Sequence, residues 1–236
     1  MAKHIGIVAC SAEGAALCYR IICEEGDRQL GNYHHPEITM HTHALGDYMD
    51  FIDQDHWQGV ADLMLSSANK LAKAGAEFLI CPDNTLHIAF DMVAPKSPLP
   101  WLHIAGEVAA EAKRRGFRKL ALTGTRYTLE GPVYPQKLAE VGIECVSPNE
   151  AERTRINAII FEELVKGVFS AESASDFHRI INRLMDEGCD AVGLCCTEIP
   201  LLIDDTTSPL PTLDSTRILA RAALQRALAI PAGEGL

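Results

Sequence analysis

The chain lacks an excess of positive charge. Of its 236 residues, 32 are acidic and 21 basic, leaving a formal net charge of −11. Nucleic-acid phosphates are gripped by basic surfaces, so nucleic acid is excluded as a partner. The same balance gives no global steering of an anionic substrate, and any carboxylate must be recognised by local groups. No apolar run is long enough to span a bilayer, which argues against a membrane protein. The opening Met1-Ala-Lys-His-Ile-Gly-Ile-Val8 enters a strand at once, without the apolar core and cleavage site of an export signal, so a cytoplasmic location is expected. None of the eight cysteines forms a Cys-x-x-Cys pair. They read as reduced thiols, not as a disulfide framework, a zinc ribbon or a thioredoxin-type motif. Gly-x-Gly-x-x-Gly is missing too, and with it any claim to a dinucleotide.

What is present is ordinary globular material, 47% hydrophobic and 22% charged, enough for one large domain or two small lobes. Ile5 to Ala9 reads as a strand and Cys10-Ser-Ala-Glu-Gly14 as a small-residue turn, with a helix from Ala15 to Glu25. Ser11 is the one side chain of that turn able to serve a pocket. His34, His35, His41 and His43 cluster, and His41 and His43 share one face of an extended strand. No further ligand completes a metal site, so they read as surface or satisfied histidines. Asp47, Asp50, Asp53 and Asp55 read as a solvated face. Trp57 to Ala74 has helical periodicity. Glu77 to Cys81 is a strand, and Asp83 or Asn84 caps a helix through Leu86, Ile88 and Phe90. Pro95, Pro98 and Pro100 mark a break.

Beyond it come a helix from Trp101 to Gly116, a strand from Arg118 to Thr123, and a polar turn Thr123-Gly-Thr-Arg-Tyr-Thr128. A helix up to Gly142 and a short strand at Ile143 to Val146 follow, then helices at Asn149 to Gly167 and Ala171 to Gly188. The strand Ala191-Val-Gly-Leu-Cys195 leads to Cys196-Thr-Glu198. Asp214 or Ser215 caps a last helix from Arg217 to Leu228, and 231–236 reads as a frayed tail. This alternation implies an α/β fold of mostly parallel sheets flanked by helices, and the repeated strand-end cysteine, Cys81 and Cys196, suggests two similar lobes facing each other. We place 1–98 plus 208–236 in the first lobe and 99–207 in the second.

Cys81 and Cys196 are the residues around which the chain is organised. Each ends a buried strand and is followed by polar, helix-starting residues. Ligands of parallel sheets bind beyond the carboxyl ends of the strands. A thiol just before a helix N-terminus meets free amides and a positive dipole end, which lower its pKa. Two such thiols on opposite sides of a pocket suit proton removal from one face of a carbon and delivery to the other, which inverts a stereocentre without a cofactor. Amides and hydroxyls on the substrate carboxylate would help to stabilise the carbanion. Cys10, Cys18, Cys23, Cys145, Cys189 and Cys195 read as structural.

Cys81-Pro-Asp-Asn-Thr85 and Cys196-Thr-Glu198 resemble the paired motifs of the aspartate/glutamate racemase superfamily, and the likeness extends to the opening turn, Thr123 to Thr128, and Asp214-Ser-Thr. The resemblance implies a pyridoxal-phosphate-independent amino-acid racemase of two pseudo-symmetric α/β lobes, each a mostly parallel sheet flanked by helices, with the active site between them, no cofactor and no metal, usually a homodimer, using Cys81 and Cys196 as the acid/base pair. It implies that Asn84, Thr85 and Thr197 hold the carboxylate and amino groups of a small amino-acid substrate, with Ser11, Thr125 and Thr128 lining the same cleft. Lys166 matches a lysine that grips an acidic side chain; its bland reading is an exposed helix lysine paired with Glu162. Tyr48 stands where aspartate racemases carry a carboxylate-binding arginine, and Cys195 and Ala9-Cys10 replace family glycines. Aspartate or glutamate is the expected substrate, with a broader or different amino acid left open by Tyr48. The alternatives within the superfamily are a hydantoin racemase, a decarboxylase and a maleate cis-trans isomerase. Outside it stands a non-catalytic dicarboxylate-binding protein.

Overall fold

The structure, a computed structural model, describes residues 2–229. The tail at 231–236 lies outside the described residues. The chain divides into two compact units, Met1–Ile104 with Leu219–Leu236, and Ala105–Ile218. Those divisions fall a few residues beyond the 98/99 boundary read from the sequence and about a turn of helix past the strand Thr212–Asp214, which sequence reading gave to the first lobe.

In the first unit β1 (Ile5–Ala9) lies between β2 (Ile38–Thr42) and β3 (Phe78–Ile80), all parallel. Every residue of β1 and β3 is buried, as expected for strands covered on both faces. Helices α1 (Ala12–Leu30), α2 (Leu45–Ile52) and α3 (Trp57–Lys73) join the strands. The core brings Ile5, Ile7, Phe78 and Ile80 of the sheet against Ile21 and Ile22 of α1 and Leu219, Ala223 and Leu224 of the C-terminal helix. Helix α1 starts three residues earlier than its periodicity indicates, because the Ser11 hydroxyl accepts the Gly14 N–H and caps it. Likewise the acidic stretch at Asp47 to Asp55 holds a helix, α2, whose inner face buries Tyr48 and Ile52.

The helix expected after Cys81 does not form as such. Thr85–Ala89 is a 3-10 turn, followed by the single α-turn α4 (Phe90–Val93) and a second 3-10 turn at Ala94–Lys96. The Asp83 carbonyl, which an α-helix would offer to the His87 amide, is taken by His87 Nδ1 at 2.8 Å; the amide instead reaches Asn84 O at 3.3 Å.

In the second unit the order is β5 (Glu144–Val146), β4 (Lys119–Gly124), β6 (Ala191–Cys195), β7 (Thr212–Asp214), again all parallel. The connecting helices are α5 (Ile104–Arg114), α6 (Arg126–Glu130), α7 (Val133–Glu140), α8 (Glu150–Ala158) and α9 (Ala171–Asp186), and α10 (Ser215–Leu228) closes the chain. Asn149 and Glu152 form a reciprocal capping box at the start of α8. Burial raises the Glu152 pKa, but Arg183 and the Asn149 N–H outweigh it and hold the carboxyl below its ordinary value.

The single helix expected over Asn149 to Gly167 changes winding instead. A wide π turn spans Ile159–Glu163 and a 3-10 turn Leu164–Lys166. Glu163 is drawn toward α9, accepting the hydroxyls of Ser170 at 3.0 Å and Ser173 at 2.6 Å, and Gly167 ends the run in the left-handed region at φ 74°. Among the described residues no helix is long and apolar enough to cross a membrane.

Candidate active site

Both sequence-derived cysteines lie at the carboxyl ends of their strands, Cys81 one residue past β3 and Cys196 one residue past β6. Each has an acidic residue two positions on that meets its sulfur, Asp83 through its backbone N–H and Glu198 through its carboxylate.

In the first unit, Cys81 is fully buried. Its sulfur accepts the Asp83 backbone N–H. The Asp83 carboxylate takes the Cys10 thiol on one side and the Leu86 N–H, at 3.1 Å, on the other. Burial drives the Cys81 thiol well above its ordinary pKa, and the Asp83 charge adds to this; the amide hydrogen bond offsets only part. The lowered pKa expected from a helix N-terminus is therefore not found, because the helix is a five-residue 3-10 turn and the thiol is desolvated. Cys10 is likewise pushed up by burial, then by Asp83 and Cys81. It thus lies against Asp83, although its sequence context reads as structural.

The Asp83 loop is held by a buried imidazole. His87 donates from Nδ1 to the Asp83 carbonyl and accepts the Ile104 N–H at Nε2, 3.2 Å away, which makes it the neutral Nδ1–H tautomer. Burial, with His103 nearby, lowers its pKa to about 3, although the Asp83 carbonyl works the other way. Asn84 is buried and Thr85 half-buried on the same loop, and Ser11 caps α1 at the end of β1. Ser11, Cys81, Asn84 and Thr85 therefore gather at one edge of one sheet. Tyr48 is completely buried. Burial raises its pKa, and Cys81 and Cys10 raise it further, against a small opposing pull from Ser67.

His41 and His43 have rings 4.9 Å apart, yet His41 has both nitrogens committed. Lys70 Nζ donates to its Nε2 at 2.9 Å, and its Nδ1 bonds the Ser67 hydroxyl at 2.9 Å. No group of three or more potential metal ligands occurs among the described residues.

In the second unit, half-buried Cys196 donates to Glu198 Oε2 at 3.0 Å, and the Thr197 hydroxyl donates to the same oxygen at 2.8 Å. Beside them, β4 runs in register with β6, Gly124 opposite Cys195. Thr125 caps α6 by accepting the Thr128 N–H, and the two threonine hydroxyls are 3.3 Å apart. This packing leaves little room for a side chain: a Cβ on Gly124 would come 3.0 Å from the Cys195 carbonyl and 3.2 Å from Thr128 Cβ. Thr125, Thr128, Cys196 and Thr197 are thereby brought together at the ends of adjacent strands. Cys195 points into the core against Tyr134, burial raising its pKa. Lys166 is exposed and makes no ion pair with Glu162; the altered winding before it breaks the i,i+4 spacing that such a pair needs.

The sequence model of the Asp/Glu/hydantoin racemases matches residues 12–223. The chain belongs to that family. This family member is 24% identical over 166 residues to the broad specificity amino-acid racemase RacX of Bacillus subtilis (strain 168), covering 70% of this chain and 71% of RacX. It is similar to the crystal structure of a candidate Asp/Glu racemase from Yersinia pestis, with a TM-score of 0.91 and 34% identity over 96% of this chain and 100% of that one. An aspartate racemase homologue from Pyrococcus horikoshii OT3 gives a TM-score of 0.84 and 32% identity, covering 96% and 99%.

The contacts of Asp83, Glu198 and Cys10 are what sequence reasoning missed in this family member. The signal was present: cysteine followed at the second position by an acid occurs in both halves, as Cys81-Pro-Asp83 and Cys196-Thr-Glu198.

Proposed function

We propose that the protein is a cofactor-independent amino-acid racemase acting by 1,1-proton transfer between Cys81 and Cys196. The observation that carries this reading is the repeated pairing of a strand-end cysteine with a carboxylate two residues on, in a chain of the racemase family. In one direction the Cys196 sulfur, having passed its proton to Glu198, takes the Cα proton as the Cα–H bond breaks. The Cys81 thiol, held protonated by burial, delivers a proton to the opposite face of Cα. Nothing is oxidised or reduced. The enzyme ends with the thiolate on Cys81 and the extra proton on Glu198; return of that proton to Cys81 through solvent restores the starting state, and the opposite enantiomer is processed by the same steps reversed.

Asn84, Thr85 and Thr197 hold the carboxylate and amino groups in this reading, and Ser11, Thr125 and Thr128 line the site. Amide and hydroxyl donors on the substrate carboxylate draw charge from the forming carbanion. Lys166 is the one named cation for an acidic side chain. A homodimer and a cytoplasmic location complete the proposal. Aspartate and glutamate are the first substrates to try; the likeness to RacX supports a wider panel. The test is circular dichroism on single enantiomers of a panel of amino acids, with no added cofactor. Loss of optical activity with at least one of them is expected, and its absence across the panel would refute the reading.

A further inference from the structure

We propose that Glu163 is a positioning residue for Lys166: its anchored carboxylate holds 159–166 out of regular α-helical winding, which keeps Lys166 from pairing with Glu162 and leaves the ammonium for an acidic substrate side chain. This rests on the racemase reading, with Lys166 as its cation, and names what holds that cation ready.

The joint between α8 and α9 lies at the carboxyl edge of the second sheet. Asn157, near the end of α8, accepts the Arg126 N–H at 3.0 Å, and Arg126 follows the end of β4 by two residues, next to Thr125. Helices α8 and α9 run antiparallel, Arg183 meeting Glu152 at 2.6 Å toward one end and Ser173 meeting Glu163 at the other. Lys166 is exposed at this joint and makes no hydrogen bond or ion pair among the described residues.

Glu162 and Lys166 are four residues apart, and in an α-helix that spacing, with the acid on the N-terminal side, pairs the two charges. The backbone departs from that path at Glu163, where φ is −119° and ψ −68°. Helical values are about −63° and −42°. The Leu164 N–H reaches Ile159 O as well as Ile160 O, the wide spacing of a π turn, before the 3-10 turn tightens the chain again. The side chain of Glu163 supplies the reason. It accepts the Ser173 hydroxyl at 2.6 Å and the Ser170 hydroxyl at 3.0 Å, with Arg155 3.7 Å away. Ser170 is the N-cap of α9, so the carboxylate is tied to the start of a 16-residue helix. The Ser173 hydroxyl above all holds that carboxyl below its ordinary pKa, burial opposing and Ser170 and Arg155 assisting. Hydrogen bonds to an ionised carboxylate are strong, whereas an exposed Glu162–Lys166 pair would contribute little, so the anchor decides the winding.

The experiment titrates the full chain calorimetrically with racemic aspartate and racemic alanine. Wild type should bind aspartate at least about tenfold more tightly than alanine. E163A should lose most of that preference with alanine binding unmoved. E163Q should keep it, since the amide oxygen still accepts both serine hydroxyls. E162Q/E163A should regain it, because the group that captures Lys166 is gone. In a K166A background E163A should add nothing. A wild type without the preference, a preference that E163A leaves intact, or one that E162Q does not restore overturns the inference. So does an equal loss of affinity for both amino acids in E163A, the mark of a merely structural role. The racemase reading fails separately, by absence of turnover with every amino acid, and these affinities are read in either case.

Discussion

The Cys196 thiol donates a 3.0 Å hydrogen bond to Glu198 Oε2, the oxygen that also receives the Thr197 hydroxyl. A carboxylate so placed can take the thiol proton and leave a sulfur able to attack a Cα–H bond. Glu198→Gln keeps the shape and removes the proton acceptor. The expected outcome is a fall in kcat of about 100-fold with KM little changed, the pattern of an interaction used in the transition state. Steady-state kinetics on both enantiomers measure it.

Asp83 acts on Cys81 in two opposed ways, its charge raising the thiol pKa and its N–H lowering it. Asp83→Asn removes the first and keeps the second. Cys81 should then ionise at lower pH than in wild type. The check is thiolate absorbance near 240 nm across a pH titration, taken as the difference from the same proteins carrying Cys81→Ala. An unmoved or raised midpoint contradicts the electrostatic account.

His87 ties the Asp83 loop to the Ile104 backbone only while neutral. Its pKa is about 3 in the folded protein against an ordinary value of 6.5. Between those values the unfolded chain binds the proton and the folded one does not. Stability contributed by this group is therefore present above about pH 6.5 and lost as pH falls toward 3, at up to about 1.4 kcal/mol per pH unit. Melting temperatures between pH 7 and pH 4 should fall more steeply in wild type than in His87→Gln, which cannot titrate.

Much of this architecture is legible in the sequence, for a physical reason. Strands such as Ile5–Ala9 and Ala191–Cys195 are covered on both faces, and burial of that kind writes itself as an unbroken apolar run. Cys81 and Cys196 could be found because their strand-end position is a local property. Cys10, by contrast, looks like any small buried residue; only the meeting of β1 and β3 in one sheet brings it to Asp83. Tyr48 lies in an acidic stretch that reads as solvated, yet α2 turns it inward. The π turn at Ile159–Glu163 depends on Glu163 reaching Ser170 and Ser173, contacts that no helical periodicity records.

Gly124 lets Thr128 and the end of β6 close on each other. Gly124→Ala would press a methyl against the Cys195 carbonyl, a backbone atom that cannot rotate away. A loss of about 1–3 kcal/mol is expected, within the range for overpacked cores, with displacement of the Thr125–Thr128 turn. Denaturant unfolding gives the first, and KM for the substrate reports the second.

The central claim is that two sulfurs divide the work on one carbon, and solvent exchange tests it most directly. In D2O, with the amino acid best turned over, Cα deuteration and inversion are followed by NMR and chiral chromatography for Cys81→Ser and Cys196→Ser. Each variant should lose inversion by at least about 10³-fold while the surviving thiol still exchanges the α-proton of one enantiomer, a different enantiomer in each variant. Inversion at the wild-type rate in either variant would contradict the account.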